Sequence, residues 1–285
     1  MLLIIVGGLV TNTGSALAVP DWPTTFGHNM FLFPWSRMIG GIFYEHAHRL
    51  IGSGVGLLTI ALAIALWLAE PRAWARALGV VAVAAVIVQG VLGGMRVVLL
   101  ERGLAIIHGC FAQAFLTLIV SLAVVTSQWW SAAPAVRRSD MDANWRASIV
   151  LLTPLVYMQI DFGALLTHQR YVAPHLFAAL GVVVCVGVAC RHVFTRHGDC
   201  AALRRPARGL LILLAMQLLL GLLTFATRFT ILGADIPPAA TLAFATTHRL
   251  VGALMLATSA TLTLRALRVL RVAGGVVPCV AGCAR

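Results

Sequence analysis

The segment His-Arg-Leu-Ile-Gly at 48–52 recurs as His-Arg-Leu-Val-Gly at 248–252, and each copy opens a long apolar stretch. Two further histidines, His108 and His175, also stand at the start of apolar stretches. Counted from position 48, the four histidines are 60, 67 and 73 residues apart, which is about two membrane crossings each. Two crossings return a chain to the same side of a bilayer. The spacing therefore predicts four imidazoles at one end of a bundle of membrane helices.

The composition excludes a soluble domain. Hydrophobic residues make up 60% of the 285 positions, charged residues make up only 11%, and the mean hydropathy is +0.95. Eight apolar stretches are long enough to cross a bilayer, which takes about 20 helical residues. We expect them at about 1–17, 44–68, 77–95, 105–126, 147–166, 173–193, 209–228 and 241–264. The predicted fold class is an all-α integral membrane protein with eight transmembrane helices.

The net charge of +12 reflects membrane topology and does not indicate a nucleic-acid partner. All 21 basic residues are arginines, and fourteen of them fall in alternate connecting segments and the C-terminal tail. The positive-inside rule places these segments in the cytoplasm. Both termini are then cytoplasmic, and the four histidines lie toward the outer face of the membrane.

The recurrence of the opening segment predicts two halves of four helices each. We place them at 1–130 and 147–270, joined by a cytoplasmic linker at 131–146 and followed by a cytoplasmic tail at 271–285. Four helices bring the chain back to the side on which it began. The two halves therefore have the same orientation, and the repeat is related by an axis along the membrane normal.

Imidazoles at one depth in a helix bundle are natural axial ligands of heme iron, and ligating groups inside a membrane are functional candidates. We predict two bis-histidine heme sites, one in each half. His48 and His108 belong to the first, and His175 and His248 to the second. His168, seven residues before His175 in a predicted outer loop, is the alternative ligand, but the depth of His175 matches the other three better.

Arginines near the histidines are candidate partners of the heme propionates, which would lie toward the outer face. The sequence does not choose among Arg49, Arg96, Arg170, Arg228 and Arg249.

A Gln-x-x-x-Gly pattern marks three of the odd-numbered spans. Its members are Gln89 with Gly93, Gln159 with Gly163, and Gln217 with Gly221. A glycine inside a membrane helix permits close approach of a neighbouring helix. The glutamine either bonds across to that helix or faces a porphyrin edge, and packing is the preferred interpretation.

Glu45 lies three residues before His48, so the two side chains share one face of a helix. A carboxylate at this depth is costly unless it is paired or functional, which makes Glu45 a candidate catalytic group beside a bound porphyrin. His46 points to another face, where we interpret it as an interfacial histidine. His28, His192 and His197 are predicted to have no ligand role.

The longest outer loop, at about 18–43, is rich in proline and aromatic residues. This density predicts a semi-rigid cap at the membrane interface, and the length of the loop suits a functional lid. None of the six cysteines lies in an outer loop, so we expect no structural disulfide. Cys279 and Cys283 are too few for an ordinary structural zinc site, which takes four ligands.

Taken together, these motifs resemble the heme A synthase family. The resemblance rests on Val-Thr-Asn-Thr-Gly-Ser at 10–15, Pro-Asp-Trp-Pro at 20–23, Glu45 with His48 and Arg49, and the four histidines. The motifs occur in order, and the resemblance covers nearly the whole chain. It implies a pair of four-helix bundles with pseudo-twofold symmetry. It also implies the conversion of heme O to heme A for cytochrome oxidase biogenesis, in which successive hydroxylations and loss of water turn the methyl at porphyrin carbon 8 into a formyl group.

The resemblance also implies roles for individual residues. His48 and His108 would flank the substrate heme O, and Glu45 would be the catalytic carboxylate. His175 and His248 would ligate a heme b cofactor that transfers electrons. The expected location is the inner (plasma) membrane of the cell. The expected partners are heme O, heme O synthase, an electron acceptor and a second copy of the chain.

Two features depart from the family pattern. Some members carry a cysteine pair in the first outer loop, which this chain lacks, and the loop between the fifth and sixth spans is very short. Two other functions use similar residues: a diheme b-type membrane cytochrome for electron transfer, and a non-catalytic heme carrier or assembly factor. Cytochromes that carry electrons across a membrane place their hemes near both faces, whereas all four histidines here are predicted on one side.

Overall fold

The computed structural model describes residues 1–132, 143–169 and 171–271. These ranges contain nine α-helices, three short 3₁₀ turns and no β-strand. The helices are α1 (Leu2–Asn12), α2 (Gly40–Ala69), α3 (Ala73–Leu99), α4 (Arg102–Val125), α5 (Gln128–Ala132), α6 (Ala143–Gln169), α7 (Val172–Arg196), α8 (Ala201–Phe229) and α9 (Pro238–Arg271). The 3₁₀ turns are Met30–Leu32, Trp35–Arg37 and Ile231–Asp235.

Seven of these helices, α2, α3, α4, α6, α7, α8 and α9, are long and apolar enough to cross a membrane. The predicted class, a helical multi-pass membrane protein, is therefore confirmed. Large apolar side chains also cover the outward surface of the helices, as Leu57, Trp67 and Leu68 do on α2. Apolar surface of this extent suits contact with lipid.

The first predicted span, at 1–17, is shorter in the structure. Helix α1 has 11 residues, which at 1.5 Å each rise about 16 Å, against about 30 Å for the hydrocarbon core of a bilayer. Gly14 follows with a positive φ of 68° and turns the chain away from the helix axis. Helix α1 alone is too short to cross, and the eighth crossing stays a prediction.

The other helices extend beyond the predicted spans. Helix α9, for example, runs from Pro238 to Arg271, where the sequence predicted 241–264. Apolar composition marks only the part of a helix inside the hydrocarbon, whereas backbone hydrogen bonds continue into the interface. The short helix α5 lies at the junction of the first predicted half and the predicted linker, and the carbonyl of its Trp130 accepts a hydrogen bond from Arg268.

Contacts between Cα atoms divide the chain into two compact units. The first unit comprises Met1–Ala112 and Met216–Gly252, and the second comprises Gln113–Ala215 and Ala253–Arg285. Helices α4, α8 and α9 contribute to both units, so this division differs from the halves predicted at 1–130 and 147–270. The two halves therefore stay a prediction, and the tail after residue 271 lies outside the described residues.

The second unit has a continuous hydrophobic core. Side chains of α6, α7, α8 and α9 form it, among them the fully buried Ile149, Leu152, Val186 and Leu256. The small Ala189 and Ala207 also lie in this core, where their size lets helices approach closely.

Trp145 lies in the same core with only 1% of its surface exposed. Its ring stacks on His192 at 4.3 Å and on His197 at 4.8 Å between centroids. These two histidines therefore pack against an aromatic side chain.

The first unit joins the N-terminal helix to α2, α8 and α9. The Asn12 amide donates to the Thr246 hydroxyl at 3.0 Å, and its carbonyl accepts from Arg228 at 3.0 Å. Gly8 faces Thr246 and Arg249 so closely that an added Cβ would lie 3.4 Å from the Thr246 methyl carbon. These contacts anchor the end of α1 beside the segments that carry His248.

Candidate functional site

His48 of α2 and His108 of α4 face each other within the first unit. Their ring centroids are 6.4 Å apart, and the ring planes meet at 77°. Two metal–imidazole bonds of about 2 Å each, with about 1.1 Å from each nitrogen to its ring centre, need about 6 Å between centroids. The observed separation therefore fits one iron ion between the two rings, and imidazole is the ligand chemistry that heme iron takes.

Each of the four candidate histidines lies against a glycine of the preceding long or short apolar helix. An added Cβ on the glycine would lie 3.0 to 3.3 Å from the Cε1 atom of the ring. The pairs are Gly7 with His48, Gly93 with His108, Gly163 with His175, and Gly221 with His248. A Cβ at these positions would push on the imidazole, which would have to shift by a few tenths of an ångström. The glycines therefore permit close packing, and the packing interpretation of the Gln-x-x-x-Gly glycines is confirmed.

The glutamines of the same motifs contact the same rings. The amide nitrogen lies 3.3 Å from the Nε2 atom of the histidine in each case: Gln89 with His108, Gln159 with His175, and Gln217 with His248. Bonding across helices, one of the two alternatives for these glutamines, is therefore what the structure shows. His175 lies in the second unit and His248 in the first.

His168 lies in the last turn of α6, and not in a loop as the sequence predicted. The connection from α6 to α7 is shorter than predicted, since both helices continue past the ends of their apolar stretches. His175, in the first turn of α7, carries the glycine and glutamine contacts found at two other candidate histidines. Its surroundings support the choice of His175, and its role as a ligand stays a prediction.

Glu45 is buried, with 5% of its surface exposed, and both carboxylate oxygens accept hydrogen bonds. Oε1 accepts from the Arg49 guanidinium at 2.9 Å, and Oε2 accepts from the backbone N–H of Val19 at 3.0 Å. The ion pair balances the charge of the carboxylate, and the two bonds fix its orientation three residues from His48.

Arg49 holds the first outer loop to α2. Besides Glu45, its terminal nitrogens donate to the carbonyls of Val19, Asp21 and Thr24 at 2.7 to 3.1 Å. Four of its five N–H groups are therefore engaged. This geometry assigns Arg49 to the loop, and it removes Arg49 from the candidate partners of a propionate.

The loop is stabilised by Asp21 and Trp22 of the Pro-Asp-Trp-Pro motif. The Asp21 carboxylate accepts from the N–H groups of Phe26 and Gly27 at 2.8 Å each. Burial alone would raise the pKa of Asp21, but these bonds and one from a threonine hydroxyl outweigh it and lower the pKa. Trp22 packs directly on Gly94 of α3, where no side chain could be added without overlap.

His46 is buried, with only 1% of its surface exposed. Its Nδ1 atom lies 3.1 Å from the Thr25 hydroxyl, and its ring packs on Phe33 at 5.1 Å between centroids. The loop folds over this helix face and buries it, which helix periodicity alone does not reveal.

Three arginines supply positive charge in the first unit. Arg96 of α3 lies close enough to Glu45, His48 and His108 to interact electrostatically with each. Arg228 and Arg249 lie within electrostatic range of each other. In the part of the chain that the structure describes, no acidic side chain forms a salt bridge with any of the three. Arg170 lies outside the described residues.

Sequence reasoning missed two features of this site. Gly7 lies beneath His48 without the glutamine that marks the other three glycines, and Arg49 binds loop carbonyls. The signal for Gly7 was present as a glycine in the helix preceding a candidate histidine. No local signal marks Arg49, because its partners lie 25 to 30 residues away.

The fold and the site define a class: helical, multi-pass membrane proteins in which facing imidazoles lie on glycines of neighbouring helices. A family model described as "Cytochrome oxidase assembly protein" matches residues 36–175. A heme A synthase of Shouchella clausii (strain KSM-K16) is 31% identical over 225 residues, which cover 76% of this chain and 70% of that protein. A heme A synthase of Alkalihalophilus pseudofirmus is 29% identical over 177 residues, which cover 60% and 56% of the two chains.

No solved structure matches the chain at a significant level. The first of these relatives is 31% identical to the chain, and the match covers 70% of that relative. The chain therefore belongs to the heme A synthase family. Family membership confirms the resemblance drawn from the motifs, and it makes the chain an oxidoreductase.

Proposed function

We propose that this protein is a heme A synthase that oxidises heme O to heme A for cytochrome oxidase biogenesis. In this reaction, the methyl at porphyrin carbon 8 becomes a formyl group by successive hydroxylations and loss of water. The observation that carries the proposal is the facing pair His48 and His108, 6.4 Å apart, with Glu45 buried on the same helix face as His48. Family membership supplies the activity that this geometry supports.

His48 and His108 hold the iron of the substrate heme O. The glycine beneath each ring lets the imidazole pack directly on the neighbouring helix. Arg96, close to both histidines and to Glu45, is the arginine best placed for a propionate of this heme. Arg228 and Arg249 are the further candidates among the described residues.

Glu45 is the catalytic carboxylate. Because Arg49 and the Val19 N–H fix both of its oxygens, the group keeps its position while the substrate changes. It acts in one of two ways: it stabilises positive charge that develops at the substrate methyl, or it accepts a proton from attacking water. Electrons removed from the methyl pass to an external acceptor.

We propose His175 and His248 as the axial ligands of a heme b cofactor. Each ring rests on a glycine and lies beside a glutamine amide, and an imidazole is a ligand that heme iron would take. When bound, such a heme transfers single electrons.

We also propose that eight crossings form two pseudo-symmetric four-helix bundles in the plasma membrane, with both termini in the cytoplasm. The distribution of arginines between the two sides of the spans supports this orientation. Heme O synthase, which makes the substrate, is the natural partner for its delivery, and a second copy of the chain is a further candidate partner.

Mass spectrometry of the pigments extracted from purified protein tests the function. A synthase yields heme O, heme A and an intermediate alcohol, whereas heme b alone indicates a diheme b-type cytochrome. Heme O or heme A without the alcohol indicates a carrier or assembly factor. Replacing Glu45 by Gln keeps the shape of the side chain and removes its charge, so we expect heme O to stay bound while heme A disappears. Normal heme A in that variant would contradict the catalytic role.

A further inference from the structure

Helices α6 and α7 form an open groove on the surface of the second unit. The groove has a volume of about 860 Å³, and all of its lining side chains come from these two helices. Its apolar part is lined by large exposed side chains, which are Leu151 on α6 and Phe177, Leu180, Val184 and Val188 on α7. Residues three or four apart share a helix face, so the side chains of α7 form a continuous apolar stripe along the groove.

One end of the groove is basic. Arg191, His192 and Arg196, in the last turns of α7, line this end together with Thr195. Both arginines are exposed, and neither forms a salt bridge with an acidic side chain among the described residues. The ring of His192 stacks on Trp145 at 4.3 Å between centroids, so α6 and α7 are packed together at this end. The groove therefore leads from an apolar stripe to two positive charges.

The length of the stripe matches one leaflet of a bilayer. Phe177 and Val188 are eleven residues apart on α7, a rise of about 17 Å, and half of the hydrocarbon core is about 15 Å thick. The distribution of arginines predicts that the basic end lies at the cytoplasmic face. An acyl chain of the cytoplasmic leaflet that lies along the stripe would place its headgroup beside Arg191 and Arg196.

We propose that this groove binds one anionic phospholipid, with an acyl chain along the apolar stripe and the phosphate at Arg191 and Arg196. Guanidinium groups form strong charge-assisted hydrogen bonds with phosphate oxygens. Basic pockets between membrane helices on the cytoplasmic side are typical binding sites for anionic headgroups. A phospholipid without net charge fits the stripe equally well but does not balance the two arginines. The site is independent of the proposed function, since its basic end lies at the opposite end of α7 from His175.

Native mass spectrometry of the full-length protein in detergent counts the bound lipids and measures their affinity. The delipidated protein is titrated with phosphatidylglycerol and, in a parallel series, with phosphatidylcholine that has the same acyl chains. We expect the first phosphatidylglycerol to bind about thirtyfold tighter than phosphatidylcholine, because each arginine near an anionic headgroup strengthens binding about fivefold. Added salt should reduce this preference, since it screens the charges.

A pair of double variants tests the charges at the basic end. The variant with Arg191→Gln and Arg196→Gln loses both guanidiniums, and we expect its preference for phosphatidylglycerol to disappear. The matched control carries Arg204→Gln and Arg208→Gln, which remove two exposed arginines of α8 that do not line the groove. This control should keep the preference of the wild type.

A second pair of variants tests the apolar part of the groove. Gly181 lines the groove, and a Cβ added there meets nothing within 4 Å. Gly181→Phe places a ring in this space, and we expect both lipids to bind about tenfold more weakly, the effect of roughly two methylene groups displaced from an apolar site. Gly187→Phe is the matched control, because Gly187 is equally open on the same helix but does not line the groove.

The results that would overturn the proposal are distinct. Equal affinity of the wild type for the two lipids refutes it, and so does a preference that survives the loss of Arg191 and Arg196. Equal weakening in Gly181→Phe and Gly187→Phe would place the lipid outside the groove. Dimers of the wild type that bind no phosphatidylglycerol and dissociate in Gly181→Phe would assign the groove to a second copy of the chain. A protein that binds phosphatidylglycerol as expected but makes no heme A supports this site and refutes the proposed function alone.

Discussion

Replacing Gly93 by alanine tests whether the glycine beneath His108 sets the position of the imidazole. The new Cβ would lie 3.0 Å from Cε1 and 3.3 Å from Nδ1 of the ring. An ordinary contact between carbon atoms is about 3.5 to 4.0 Å, so the ring has to move by about 0.5 Å. Side chains that bind a ligand have to be held within about 0.5 Å of their productive positions. A shift of this size is therefore enough to weaken binding by His108.

The expected result of Gly93→Ala is heme binding about tenfold weaker at the site of His48 and His108, with part of the heme changed from low-spin to high-spin. Titration of the purified protein with ferric heme, followed in the visible spectrum, measures both effects. Gly90→Ala is the matched control, since Gly90 lies on the same helix three residues earlier and an added Cβ meets nothing within 4 Å. This control removes a glycine from a helix interior, so it stabilises α3 by up to about 1 kcal/mol.

The reasoning is wrong if Gly93→Ala and Gly90→Ala bind heme with the same affinity and the same spectrum. Equal weakening in both variants would point to a general effect of alanine on α3. A loss confined to Gly93→Ala assigns the effect to the imidazole.

Three further predictions concern the loop and the ion pair between Glu70 and Arg72 at the end of α2. Arg49→Lys replaces a guanidinium with four engaged N–H groups by an ammonium with three donors. We therefore expect limited proteolysis to cut the loop before α2 several-fold faster. A wild-type digestion pattern would contradict the role of Arg49 in holding the loop. Gly94→Ala makes the helix overlap the Trp22 indole, so quenching by iodide should show a more exposed tryptophan, and unchanged quenching would mean that the loop adjusts without leaving α3. The hydrogen bond from Arg72 lowers the pKa of Glu70 from 4.5 to about 2. The contribution of this ion pair to the stability of the folded protein is therefore complete above pH 4.5, and it is lost as the pH falls through 2. Thermal unfolding of the wild type and of Glu70→Gln should therefore converge toward pH 2 at low salt, and a constant difference down to pH 2 would refute the assignment.

The loop before α2 connects structural stability to the proposed chemistry. Arg49 contacts the catalytic candidate Glu45 and three loop carbonyls through one guanidinium. Trp22 reaches Gly94, which is adjacent in sequence to the glycine beneath His108. The loop therefore contacts both the helix that carries Glu45 and α3.

Several properties of the protein follow from the sequence alone. Apolar composition identified the class and the seven long spans, and the spacing of His48, His108, His175 and His248 placed each near the start of a helix. The motifs also identified the family, which the comparisons confirm. These properties depend on the hydropathy of a segment or on helical spacing within it, and the neighbouring segments do not alter them.

Other properties were decided by the tertiary structure. The assignment of Arg49 to the loop, the burial of His46, the helical position of His168 and the absence of a glutamine contact at His48 are examples. Each depends on which side chains from distant parts of the chain come within about 3 Å of one another when helices and loop pack. Hydropathy and helical period specify which face of a helix is apolar, but the partner on that face is selected by steric fit and hydrogen-bond geometry in the packed protein.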